Sequence, residues 1–280
     1  MRVRIFAALF GPMLFLVSLG FSSALVFSQS GGNTTRAGYA IVTTVFGSVN
    51  NLQVIETFGL SNGLVTAQGS TSPAILTNRA NLLVSVDTTV QRNTGVALAN
   101  PGSTNANVAL SLLDAGGRAV ANGSIVVPAT RQVARFVTEL LPGALNLVQP
   151  FDGTLVLTSD SAVGITALRF RGPGFGSLPL EALIPSPNPL PLLVGGSVGG
   201  PPAVLLPHIV AGGGWASQIA ASNVGNFTMI VRIDLFGQDG SPLTIELNGR
   251  SGSSFTNVEI PAGGVVVLST ASASSGSTPF

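Results

Sequence analysis

The segment Leu-Pro-His-Ile-Val-Ala-Gly-Gly-Gly-Trp, residues 206–215, holds the only histidine and the only tryptophan of the 280-residue chain. An imidazole is the side chain best suited to proton transfer or metal binding near neutral pH. An ordinary zinc site, however, needs three or four nitrogen and sulfur ligands, and the chain has neither a second histidine nor a cysteine. His208, next to Pro207, reads as a polar residue at the entry to a strand. Upstream, Gly195-Gly196-Ser197-Val198-Gly199 fits the G-x-S-x-G nucleophile pattern. That elbow requires a strand before the serine, a helix after it, and an acid between serine and histidine in chain order. Prolines and glycines flank this motif instead, and no Asp or Glu lies between Ser197 and His208. The match is what a glycine-rich linker produces by chance.

Gly212-Gly213-Gly214 suggests a phosphate loop only at first sight, because such loops lead into Lys-Ser/Thr or a helix N-terminus. Here Trp215 follows, and the glycines read as a turn into a strand. Trp215 is then an anchor beneath that turn, or a platform on which a sugar ring stacks. It is the one ligand-binding candidate in the chain. Asp114 and Asp239 fall in turns, where a carboxylate binds nearby backbone N–H groups. Two such acids in different domains do not form a glycosidase pair. No catalytic residue, metal site or cofactor is expected, and the chain is read as a non-enzyme.

Composition narrows the class further. Charged residues are 8% of the chain, against about a quarter in ordinary soluble domains. All 12 basic residues are arginine, and the net charge is +1. No basic patch suited to a phosphate backbone is available on that scale, so nucleic acid is not an expected partner. The absence of cysteine excludes disulfides, thiol chemistry and a lipid anchor on cysteine. Gly, Ser, Thr, Asn, Val, Ala and Leu dominate, a mixture of strand and turn formers.

Residues 1–30 carry Arg2 and Arg4, an apolar run from Ile5, and small residues around Ala24 and Ser30. This is the pattern of a signal peptide, or of an N-terminal anchor if it stays uncleaved. In either case the remainder is expected to be exported, with the membrane touched only through that segment. A second apolar region contains 8 prolines between Pro179 and Pro207. Proline costs a helix interior about 3 kcal/mol, so residues 187–203 read as an extended Pro/Gly-rich linker.

Elsewhere the apolar pattern has a period of two. Val108, Leu110 and Leu112 share one face before the turn at Asp114-Ala115-Gly116-Gly117, and Val231, Ile233 and Leu235 do the same before Gln238-Asp239-Gly240. The two hairpins align without gaps. Ala97, Asn100, Gly102, Val108, Leu112 and Gly117 fall opposite Ala220, Asn223, Gly225, Val231, Leu235 and Gly240. Further on, Pro128 falls opposite Pro261. A third match places residues 37–61 over the end of the first copy, with Gly38 opposite Gly164 and Glu56 opposite Glu181. One short helix is expected in "RFVTELLPG", residues 135–143.

These matches divide the chain. Residues 31–61 are strands that complete a second sandwich, and residues 62–81 are a connector. Residues 82–186 form the first complete sandwich, and residues 204–280 a second, partial one. The predicted fold is all-β: two antiparallel immunoglobulin-like β-sandwich domains, the second circularly permuted or incomplete. Nothing in the composite replaces "GTLVLTSD", residues 153–160, which leaves a sheet edge open to another chain.

As a set, "HIVAGGGWASQIAASN", "GQDGSPL", "IPAGG", "GYAI", "TGVALANP" and "ALRF" resemble the paired β-sandwich modules of large secreted proteins from soil bacteria. The resemblance covers about residues 37–280. It implies a sandwich architecture and no known chemistry. The expected role is that of a secreted or cell-surface structural or adhesion-type protein, whose partners are other copies of itself or surface and matrix components. The alternatives are a carbohydrate-binding accessory module and an outer-membrane β-barrel. The barrel is disfavoured by the closing "ASASSGSTPF", which lacks the alternation of a membrane strand.

Overall fold

The structure, a computed structural model, describes residues 38–43, 54–61, 65–172, 174–178, 190–193, 198–200, 203–212 and 216–270. It is an all-β fold with antiparallel sheets. The chain divides into two compact units, one of Met1–Leu112 with Ala119–Leu180 and the other of Leu113–Arg118 with Glu181–Phe280. The leader predicted for residues 1–30 lies outside the described residues.

Unit 1 opens with β1 (Glu56–Ser61) and β2 (Val65–Thr71), which pair antiparallel in a sheet of their own. β3 (Leu76–Val86), β4 (Arg92–Asn100), β5 (Ala106–Asp114), β6 (Ala119–Val127), β7 (Arg131–Phe136), β8 (Phe151–Arg171) and β9 (Gly174–Leu178) build a seven-stranded sheet. Its central strand, β8, serves two halves. Phe151–Thr158 run beside β3, and Gly164–Arg171 beside β4. β5 is a further neighbour of β8, and β9 folds back on its last residues.

Alternation explains the core. Ala80, Leu82, Val84 and Val86 of β3, Val96 and Leu98 of β4, Val108, Leu110 and Leu112 of β5, and Leu155, Leu157, Ile165 and Ala167 of β8 are all buried in one cluster. Both halves of the sheet therefore feed the same core, and each fully buried Leu or Val contributes about 1.5–3 kcal/mol. The expected helix is present as one turn, α1 (Val137–Leu140), between β7 and β8. Val137 is buried, and Glu139 Oε2 accepts the Phe136 N–H at 2.9 Å, closing the first turn.

Two stretches read as connections hold regular structure. Residues 62–81 include β2 and the start of β3. The Pro/Gly-rich stretch holds a hairpin of β10 (Leu190–Leu193) and β11 (Val198–Gly200). Pro191 falls at its register shift, between Leu190 and Leu192, where a missing N–H is tolerated.

The rest of unit 2 is a set of two-stranded ladders. β12 (Gln218–Ser222) pairs with β17 (Val265–Ser269), β13 (Met229–Asp234) with β16 (Ser254–Ile260), and β14 (Ile245–Leu247) with β15 (Arg250–Gly252), all antiparallel. Leu235, Leu247 and Phe255 form its small core, with Ile209, Ile233 and Leu268 packed against them.

The two units share an asparagine device. Asn100 Nδ2 donates to Thr104 O (2.8 Å) and Val127 O (3.0 Å), and its Oδ1 accepts the Gly102 N–H (2.9 Å). Asn223 Nδ2 donates to Phe227 O (2.6 Å) and Ile260 O (3.0 Å), and its Oδ1 accepts the Gly225 N–H (3.0 Å). Both residues are 1% exposed. The hairpin turns agree as well. Gly117 and Gly240 take φ +82° and +80°, the left-handed conformation that a side chain resists.

Candidate functional site

The residues singled out for chemistry stay apart. His208 is exposed on an irregular segment of unit 2. Trp215, with Gly213 and Gly214, lies outside the described residues, as do Ser197 and Glu181. Gly212 turns at φ +88°. Among the described residues no group of three His, Cys, Asp or Glu side chains could hold a metal ion. Asp114 Oδ1 accepts the N–H groups of Gly116 (3.0 Å) and Arg118 (2.9 Å). Asp239 Oδ1 accepts from Ser241 N–H (3.0 Å) and Oγ–H (2.6 Å), which holds its carboxyl below the usual range. Both aspartates are turn braces.

What the fold does gather is a charged end in unit 1. Strand register sets Arg92 opposite Arg171 and Thr94 opposite Arg169, so all four side chains share the core-facing side of β4 and β8. Arg92 is 7% exposed, and its Nη2 lies 3.6 Å from Asp87 Oδ2. Asp87 Oδ1 accepts from Thr89 Oγ–H (2.6 Å) and N–H (3.0 Å). These bonds, with a lesser contribution from Arg92, lower its pKa. Burial lowers the pKa of Arg169, the neighbouring Arg92 lowers it further, and Asp152 opposes both. Asp152 in turn accepts the Ser85 hydroxyl at 2.6 Å. Arg92 Nε and Thr154 Oγ1 are buried without a hydrogen-bond partner. Both carboxylates hold a hydroxyl, so the arrangement braces the β3–β4 corner.

A second grouping was also hidden from sequence reasoning. Phe136, Phe170 and Phe175, from β7, β8 and β9, meet on the face of the sheet away from the core. Ring centroids are 5.2 Å apart for Phe136–Phe170 and 5.7 Å for Phe170–Phe175. The only sequence signal was the odd–even phase of three separate strands.

The third feature is the surface of unit 2. Phe227, Met229 and Ile230 are exposed at and just before β13, whose paired neighbour among the described residues is β16. Val204, Leu205 and Leu206 are exposed in the preceding irregular segment, and Tyr39, Ile41 and Val42 near the N-terminal end.

Comparison with family models, with curated proteins and with solved structures gave no match.

Proposed function

We propose that the chain is a non-enzymatic, exported structural or adhesion-type protein whose immunoglobulin-like β-sandwich modules pack against other copies or against surface and matrix components. The observation that carries this reading is the exposure of large apolar side chains at and just before β13, with Phe227 at 79% and Ile230 at 64%. A strand edge offers unpaired N–H and C=O groups, and apolar side chains beside it add area to any strand that docks there. The paired charges favour the same reading, since Asp114, Asp239 and Asp87 brace turns. The resemblance to secreted modules of soil bacteria points the same way.

The test is light scattering of the purified chain over a wide concentration range, combined with adsorption to cell-envelope and extracellular fractions. The expected result is mass above the 28.2 kDa of one chain, rising with concentration, or retention on one fraction. A strict monomer that adsorbs to none of them would refute the role.

A further inference from the structure

Three of the chain's 12 arginines meet at one end of unit 1. Only 8% of the chain is charged, so such a grouping is not an ordinary solvated face. Strand register sets Arg92 directly opposite Arg171, and Arg169 lies two residues before Arg171 on the same side of β8. Like charges opposite one another across a strand pair are destabilising. After burial, the charge of Arg92 is what most lowers the pKa of Arg169, and Arg171 lowers it too, so the three cations feel one another. The carboxylates set against them are Asp87, whose Oδ2 faces Arg92 Nη2, and Asp152, which acts on Arg169. Arg171, by contrast, makes no ion pair among the described residues. Arg92 Nε is buried without a hydrogen-bond partner.

The neighbouring strand leaves room beside this charge. β9 pairs with the end of β8 in the register Arg171↔Gly174 and Arg169↔Gly176. Residues directly opposite share a face, so each of these arginines has a glycine where any other residue would set a side chain against it. A Cβ built on Gly176 meets no heavy atom within 4 Å, and one on Gly174 meets only the Arg171 carbonyl oxygen, at 3.4 Å. Neither glycine takes a positive φ, so backbone geometry does not require glycine at either place. Gly176 is exposed and Arg171 half-buried, which opens the space to solvent, while Arg92 is buried across the strand pair. A rim guanidinium without an ion pair, a buried one beside it and an open space next to glycine together suit an oxyanion. The planar fork of a guanidinium matches two oxygens of a phosphate or sulfate group.

We propose that this end of unit 1 is a binding site for a doubly charged oxyanion, phosphate or sulfate, held in the space beside Gly174 and Gly176. Arg171 donates the hydrogen bonds, and Arg92 and Arg169 add positive charge around it. Binding turns the opposed pair Arg92 and Arg171 from a repulsion into two cations that share one counter-ion. The site goes beyond the structural role proposed above and does not depend on self-association, since every residue in it belongs to unit 1.

Isothermal titration calorimetry of the whole purified chain with sodium phosphate, and separately with sodium sulfate, tests the site at an ionic strength held constant with chloride. The expected result is one anion per chain, with a dissociation constant of about 1 mM or below. Arg171→Gln removes the donor fork, and Gly176→Val fills the space with a side chain that suits a strand. Each is expected to weaken binding about tenfold or more and to keep the circular dichroism spectrum, because neither position is in the core. Arg250→Gln, at an exposed arginine of unit 2, is expected to leave binding unchanged. Glucose 6-phosphate in place of inorganic phosphate separates the two sources of such a group. Equal binding assigns the site to an ester on a larger ligand, and binding of the inorganic anion alone assigns it to a free ion. No saturable binding of either inorganic anion would overturn the site, as would binding that Arg171→Gln and Gly176→Val leave unchanged. Either of those results leaves the light-scattering test, and the structural reading it decides, as they stand.

Discussion

Asn100 and Asn223 offer the sharpest energetic test of how this fold is held. Each is almost fully buried, and each accepts one loop N–H and donates to a loop carbonyl and to the carbonyl of a strand's last residue. Asn100→Ala removes three short hydrogen bonds at about 1 kcal/mol each and a longer one to Pro128 O (3.4 Å). It also strands the carbonyl of the fully buried Val127. An expected loss of about 3 kcal/mol from unit 1 follows, because desolvation of the carbonyl replaces part of a bond already counted. Asn223→Ala should cost unit 2 about the same, by the same count. Asn100→Asp keeps the bond from Gly102 but turns both donors into acceptors aimed at carbonyls, so it should be no better than alanine. The assay is urea unfolding followed by circular dichroism, with hydrogen exchange to assign each change to its unit. With a slope of about 1–3 kcal/mol per molar urea, the midpoint should fall by about 1–3 M. A fall below about 0.3 M in both alanine variants would refute the reasoning and mean that water replaces the amide at little cost.

Two further predictions follow from the charges. Asp87→Ala leaves Arg92 buried and unpaired and removes the bonds to Thr89, so about 3 kcal/mol should be lost. Arg92→Leu leaves Asp87 its own turn bonds and removes a buried Nε that has no partner, so its cost should stay within about 1 kcal/mol; the two urea midpoints decide. Asp87, Asp160 and Asp239 have folded pKa values below the unfolded value, held there by Thr89, Asn107 and Ser241 respectively. The unfolded chain therefore binds more protons in acid. The stabilisation is full above the unfolded pKa of about 3.9 and is lost as pH falls through the folded values. Urea midpoints should be level from pH 7 to pH 5 and decline below about pH 4, with a shallower decline in Asp160→Asn.

The parts of this architecture that were legible in the sequence are those governed by local rules. Val108, Leu110 and Leu112 alternate with more exposed residues, and period-two burial is what a sheet with one buried face demands. Gly117 and Gly240 were legible as turns because only a residue without a side chain takes φ near +80° at no cost. The helix after β7 was also placed, although only Val137–Leu140 of residues 135–143 wind as α-helix. The strands within residues 62–81 were hidden by polar composition. "VTAQGST" and the first residues of β3 carry little apolar periodicity, and their order comes from partners far along the chain, such as Gly164 opposite Leu76. The length of β8 was hidden too, because Asp160-Ser161 puts residue types common in turns at its middle. Asp160 instead accepts the backbone and side-chain N–H groups of Asn107 at 2.9 and 2.6 Å, and the strand continues past it.

The functional features obey the same division, and this bears on how the chain works. The charged end could not be seen in the sequence because Arg92 meets Arg169 and Arg171 only through strand register. The asparagine braces could be seen as a pair, since Asn100 and Asn223 fall opposite each other when the two hairpins are aligned. β8 contributes to both halves of its sheet through a single 21-residue strand. Among the described residues the long-range pairing that β8 gives β4 and β5 has no counterpart beside β12 and β13, while the hairpin turns and asparagine braces of the two copies agree. Loop-closure entropy makes such pairing the costliest to form within one chain.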